Sequence, residues 1–188
     1  MRLASAVGFA LVVAACGPLR AQTARDGFWM SLGLGYGSAG LDCNDCTDQR
    51  EDGSGFYLRL GGSPTPRMRI GADINAWHRS RNRTEVTFAS VIGLLQLYPA
   101  ERAGLFLNLG AGVTTATFEF PIVDVENKGV CVELGGGWDI GIGARFAITP
   151  FALYVNAFGG GRTRFNNVEI DEEINPDYLL FGLGFTWH

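Results

Sequence analysis

Tyr178-Leu-Leu-Phe-Gly-Leu-Gly-Phe-Thr-Trp-His188 closes the chain. In an extended strand successive side chains point to opposite faces. Phe181, Leu183, Phe185 and Trp187 therefore share one face, and Gly182, Gly184, Thr186 and His188 share the other. Bulk on one face and glycine on the other is the pattern a closed transmembrane barrel requires. Lipid favours large apolar groups outside, and a narrow lumen admits small or polar groups inside.

The opposite end supports export. Arg2 precedes an apolar run from Leu3 to Ala15, long enough for the core of a secretory signal and too short to cross a bilayer. Cleavage after Ala21 divides the chain into a signal peptide, residues 1–21, and one barrel domain, residues 22–188. Val13-Ala14-Ala15-Cys16 offers a rival reading as a lipobox, with Cys16 as a lipidated terminus. Past the signal, no stretch reaches the roughly 18 apolar residues of a membrane helix, as expected of alternating strands. The formal net charge of −4 becomes more negative when Arg2 and Arg20 leave. An acidic exported chain has no electrostatic basis for binding nucleic acid.

Eight strands follow from the alternation. They are expected near residues 27–37, 55–62, 68–80, 85–98, 104–116, 130–142, 146–158 and 178–188. Phe28, Met30, Leu32, Leu34 and Tyr36 face outward in the first strand, against Trp29, Ser31 and three glycines. Arg59 and Tyr57 face inward in the second; Arg69, Asp73 and Asn75 do so in the third. Gln96 points the even positions of the fourth strand inward, while Phe88 and Ile92 argue the other way, so its facing stays open. In the seventh strand Phe151, Leu153 and Val155 are expected outside, and Ala152, Tyr154 and Asn156 inside. Connections after odd strands are polar and mostly long: residues 38–54, 79–84, 117–129 and 159–177. Those after even strands are turns, such as Ser63-Pro-Thr-Pro66. Short turns are periplasmic and long loops extracellular in outer-membrane barrels.

Ala72-Asp-Ile-Asn-Ala-Trp77, Leu97-Tyr-Pro99, the glycine-rich sixth strand and the aromatic last strand resemble the small eight-stranded OmpA/OmpX-like outer-membrane barrels. The resemblance runs from Gly27 to His188. It implies an all-β, antiparallel up-and-down transmembrane barrel in the bacterial outer membrane, with periplasmic termini. It also implies contact with outer-membrane lipids and lipopolysaccharide, and assembly by the barrel assembly machinery through the last strand. The family usually ends on Phe or Trp; here His188 follows Trp187.

Several groups could carry chemistry. Arg59, Arg69, Asp73, Glu133 and Asp139 fall on inner faces, and an arginine facing lipid at the midplane would cost about 2–4 kcal/mol. The bland reading is a paired polar plug; the functional one is a narrow solute pore. Asp42-Cys-Asn-Asp-Cys-Thr-Asp48 places Cys43 and Cys46 in the first loop, with Cys131 as a third thiol. Zinc normally takes four ligands, so no metal is expected. A disulfide from the first loop to Cys131 is expected, with a Cys43–Cys46 bridge as alternative. His78-Arg-Ser80 resembles the His-x-Ser pair of outer-membrane lipid A deacylases, where a base and a hydroxyl two residues apart share a strand face. Glu85 would orient the imidazole. The residues that follow do not match that family's extended pattern. Arg79, Arg81 and Arg83 could meet lipopolysaccharide phosphates or form a solvated basic loop. Glu169, Asp171, Glu172, Glu173 and Asp177 read as solvated surface. No cofactor is expected. The favoured reading is a monomeric, non-catalytic barrel with a structural or surface-interaction role. An acyl hydrolase of lipid A or phospholipid, a narrow pore and a soluble ligand-binding barrel are the rivals.

Overall fold

The computed structural model describes residues 25–42, 50–81, 84–101, 103–119, 124–165, 168–170 and 175–188. The expected signal peptide, Cys16, Cys43, Cys46 and Arg83 lie outside them, as do Asp171, Glu172 and Glu173. Ten strands form one antiparallel sheet: β1 Gly27–Asp42, β2 Glu51–Thr65, β3 Met68–Arg81, β4 Thr84–Leu97, β5 Leu105–Glu119, β6 Asp124–Trp138, β7 Ile140–Gly141, β8 Phe146–Phe165, β9 Val168–Ile170 and β10 Asn175–Trp187. β7 and β9 are short additions paired to β8. The other eight run up and down in chain order, and β10 pairs β1 from Met30↔Trp187 to Asp42↔Asn175. That pairing closes the sheet, so every barrel strand has two neighbours and no edge remains for other chains to pair with.

The outer wall is apolar. Leu34, Tyr36, Phe56, Val113, Leu134, Phe181 and Leu183 are exposed, on strands all around the barrel. Soluble monomers rarely leave apolar patches beyond a few hundred Å² uncovered. A continuous belt of this kind needs lipid, and contradicts a soluble barrel with its apolar groups turned inward.

The strands are longer than expected at one end. The segments expected as loops at 38–54, 117–129 and 159–177 are partly strand, with β1 reaching Asp42, β5 Glu119 and β8 Phe165. The ladder extends beyond the expected strands because its inner face stays packed, with Ala39, Phe118 and Asn127 buried. The loop end therefore carries tall hairpins, and the turn end is compact.

Two facings are resolved by packing. The even positions of β4 point inward, with Phe88, Ser90, Ile92, Leu94 and Gln96 all buried. β8 is the reverse of the expectation: Phe151, Leu153 and Val155 are buried inside, while Ile148, Tyr154 and Phe158 are exposed. Phe151 pairs laterally with Gly182 on β10 and Gly137 on β6. Glycine on both sides gives the ring its space, and it meets Tyr57 edge-on at 4.7 Å between centroids. Ile92 likewise pairs with Gly112 on β5. At these two positions a large apolar group enters the lumen beside glycine on a neighbouring strand.

Candidate functional site

The lumen holds two stacked regions. Toward the turn end it is polar and ionic. All five charges expected there face inward and are buried: Arg59, Arg69, Asp73, Glu133 and Asp139. Arg59 Nε donates to Asp73 Oδ2 at 2.5 Å, and its Nη2 donates to Glu133 Oε1 at 3.0 Å. Asn75 Nδ2 holds the second carboxylate oxygen of Glu133 at 3.1 Å. The Asn108 amide, with its oxygen toward the guanidinium, accepts from Arg59 Nη1 at 2.7 Å. The Arg59 guanidinium also lies 4.2 Å from the centroid of the Tyr57 ring, an arrangement in which the ring face attracts the cation.

A second ionic group lies nearer the turns. Arg69 Nη1 donates to Asp139 Oδ2 at 3.3 Å and Gln96 Oε1 at 3.2 Å. The Tyr98 hydroxyl donates to the same Asp139 oxygen at 2.7 Å, and Thr149 donates to the other at 2.8 Å. From Thr149 the hydroxyls of Thr186 and Ser31 continue the chain to Tyr57, with separations of 2.9, 2.8 and 3.0 Å. Every inner wall thus contributes to a connected set of bonds, and buried charges that are both paired and hydrogen-bonded resist rearrangement.

The turn-end mouth is covered as well. Arg25, just ahead of β1, reaches the β4–β5 turn: Nη1 donates to Glu101 O at 3.1 Å and Nη2 to Ala103 O at 2.6 Å. Its guanidinium stacks 3.8 Å from the Tyr98 ring centroid, and burial lowers its pKa from the ordinary arginine value. His188, after β10, presents Nδ1 to Arg69 Nη2. Burial, with the Arg69 cation beside it, holds this imidazole down at about 4.

Toward the loop end the lumen is apolar. Trp77, Phe88, Ala116, Phe118, Cys131, Val155, Ala157 and Leu180 belong to one buried cluster, joined by Val86 and Leu41. Trp77 stacks on Phe88 at 5.3 Å. Tyr178 joins the regions, since its hydroxyl donates to Asn75 Oδ1 and lies 2.9 Å from Ser90 Oγ.

The remaining candidates separate. Cys131 is a free thiol, buried in this cluster between Gly112 and Ala157 of the neighbouring strands. Cys43 and Cys46, the partners expected for it, lie outside the described residues. His78 and Ser80 do share the outer face, and both are exposed. His78 Nδ1 lies 3.0 Å from Thr87 Oγ1, whereas Ser80 donates to Glu85 Oε1 at 3.5 Å. Glu85 is thus beside the hydroxyl rather than the imidazole. Arg79 and Arg81 fall on the inner face at the loop-end mouth, where Arg79 is ion-paired with Glu51. Asp177 is ion-paired with Arg50 at 2.6 Å. Among the described residues no group of three or more His, Cys, Asp or Glu side chains could hold a metal. Reading the strands one by one missed Tyr98, Tyr178 and Arg25; the first two share strand parity with inward polar neighbours, and Arg25 gave no signal.

Comparison with solved structures agrees with this geometry. Neisserial surface protein A superposes with a TM-score of 0.60 at 12% identity, over 86% of this chain and 96% of that one. Ail, the attachment invasion locus protein of Yersinia pestis, gives 0.52 at 16% identity, over 86% and 99%. This is the fold of the small eight-stranded outer-membrane barrels. OprG of Pseudomonas aeruginosa gives 0.50 at 12% identity, over 89% and 98%. No family model and no curated protein matches the sequence. With its belt of exposed apolar side chains, the chain has the architecture of an integral membrane barrel.

Proposed function

We infer that this barrel is a closed, non-catalytic component of the outer membrane that acts at the surface through its tall hairpins. The observation that carries the reading is the filled lumen. Arg59 and Arg69 bind carboxylates from three strands or strand ends, and Arg25 covers the turn-end mouth. An eight-stranded barrel is just wide enough for its interior to be filled by side chains. A solute path would require both ion groups to break, leaving buried charges uncompensated. Short turns are periplasmic in this architecture, so the hairpins carrying Arg50, Arg79 and Arg81 face outward from the cell and both chain ends lie in the periplasm. Lipopolysaccharide surrounds the belt, the barrel assembly machinery receives the chain through β10, and the barrel works as a monomer.

Planar-bilayer recording of the purified protein tests the closed lumen. Sustained ion-selective conductance would overturn it. Lipid A mass spectrometry of cells with and without the chain tests the absence of catalysis. Loss of an acyl group in the expressing cells would instead assign hydrolysis to His78 and Ser80.

A further inference from the structure

The loop-end mouth holds a cavity of about 320 Å³ lined by Glu51, Arg79, Arg81, Thr84 and Val86. Its wall is graded by strand register. Arg81 pairs with Thr84, Arg79 with Val86 and Trp77 with Phe88 on the facing strand. Residues two apart share a face, so these are successive rungs descending into the lumen. The top two rungs supply guanidinium groups. The second also supplies Val86, which packs against the buried aromatic cluster, and the third is wholly aromatic.

The charge does not balance. Among the described residues, Glu51 is the one acidic residue lining the cavity, and it is engaged by Arg79. Among the described residues, no ion pair or hydrogen bond engages Arg81, which is exposed. Among the described residues, one positive charge is therefore left at the rim of a pocket whose lining also includes the apolar Val86. The volume lies in the range of small-molecule sites, roughly 300–1,000 Å³, which combine an apolar body with a few placed polar groups.

We propose that this cavity binds a small amphipathic anion, its carboxylate or phosphate head on Arg81 and Arg79 and its aliphatic tail over Val86 toward Trp77 and Phe88. Arginine suits both heads, because its fork of N–H donors matches their oxygens. The ionic region beneath closes the lumen, so the site retains its ligand without passing it on. It does not depend on whether the barrel also engages a partner at the surface.

The test is calorimetric titration of the full mature protein in nanodiscs, with octanoate, octyl phosphate, octanol and inorganic phosphate as separate probes and empty nanodiscs as the blank. Saturable binding of octanoate or octyl phosphate is expected, at least tenfold tighter than octanol or inorganic phosphate. Arg81→Gln should weaken that probe at least fivefold, and Val86→Ser should weaken it while leaving inorganic phosphate unchanged. Arg81 is exposed and engages no partner among the described residues, so its variant keeps the fold, as heat-modifiable gel migration would verify. Absence of saturable binding of both amphipaths overturns the proposal. So does inorganic phosphate binding as tightly as either, or an Arg81→Gln variant that binds like the parent.

Discussion

Arg59 and Asp73 are direct cross-strand partners on β2 and β3, and their side chains meet at 2.5 Å inside the barrel. The same guanidinium also holds Glu133 from β6, so one residue neutralises charge from two walls. Arg59→Ala would leave both carboxylates buried without a cation. Removing one member of such a pair costs about 3–5 kcal/mol, while a change at an exposed residue such as Arg81→Ala stays within about 0.5 kcal/mol. Equilibrium urea unfolding in detergent should rank the two variants in that order. Equal midpoints would show that the ionic group does not hold the barrel closed.

A second expectation concerns Tyr57 and glycine. A Cβ placed at Gly184 would fall within the Tyr57 hydroxyl, and one at Gly33 would meet the same ring. Overpacking of this kind costs about 1–3 kcal/mol. Gly184→Ala should lower the temperature at which the folded band disappears from gels, and Tyr57→Ala should recover part of that loss. A Gly184→Ala barrel as stable as the parent would mean the ring has somewhere else to go.

These glycines also show what a strand-by-strand reading can and cannot see. The outward faces of β1 and β10 are legible because lipid tolerates little but bulk there, and the inward charges of β2 and β3 are legible because lipid excludes them. β8 is different. Phe151, Leu153 and Val155 fit lipid as readily as a packed lumen, and for Phe151 the space inside is supplied by Gly137 and Gly182 on the neighbouring strands. That information lies in the pairing of three strands, so alternation within one cannot hold it. The five lumen charges were legible as a set; which arginine meets which carboxylate required the register. Arg25 was invisible, since nothing in its neighbourhood shows that the chain ahead of β1 crosses toward the β4–β5 turn.

Cys131 should behave as a sheltered thiol. It is about 1% exposed and is not bridged. Reaction depends on access as well as on thiolate character. In the folded protein, alkylation of the Cys131 peptide should be slow, and it should become complete on unfolding without any reductant. If reductant proves necessary, Cys131 is in a disulfide after all; fast labelling in the folded state would mean that the inner wall is open.

The last expectation is a pH dependence at His188. Its imidazole is held at about 4, by burial first and by Arg69 second, against an ordinary histidine value near 6.5. Above about pH 6.5 the ring is neutral in the folded and unfolded chains alike, and it adds no pH dependence. Between about 6.5 and 4 the unfolded chain takes up a proton that the folded chain refuses, so stability falls as pH drops. Below about 4 both forms are protonated and the loss levels off. Nitrogen NMR of the imidazole should show no titration of His188 from pH 8 to 5. His188→Gln should remove this ring's share of the slope in unfolding midpoint between pH 6.5 and 4. A His188 that titrates near 6.5 would show that the ring does not dock against Arg69, and that the turn-end mouth is covered by Arg25 alone.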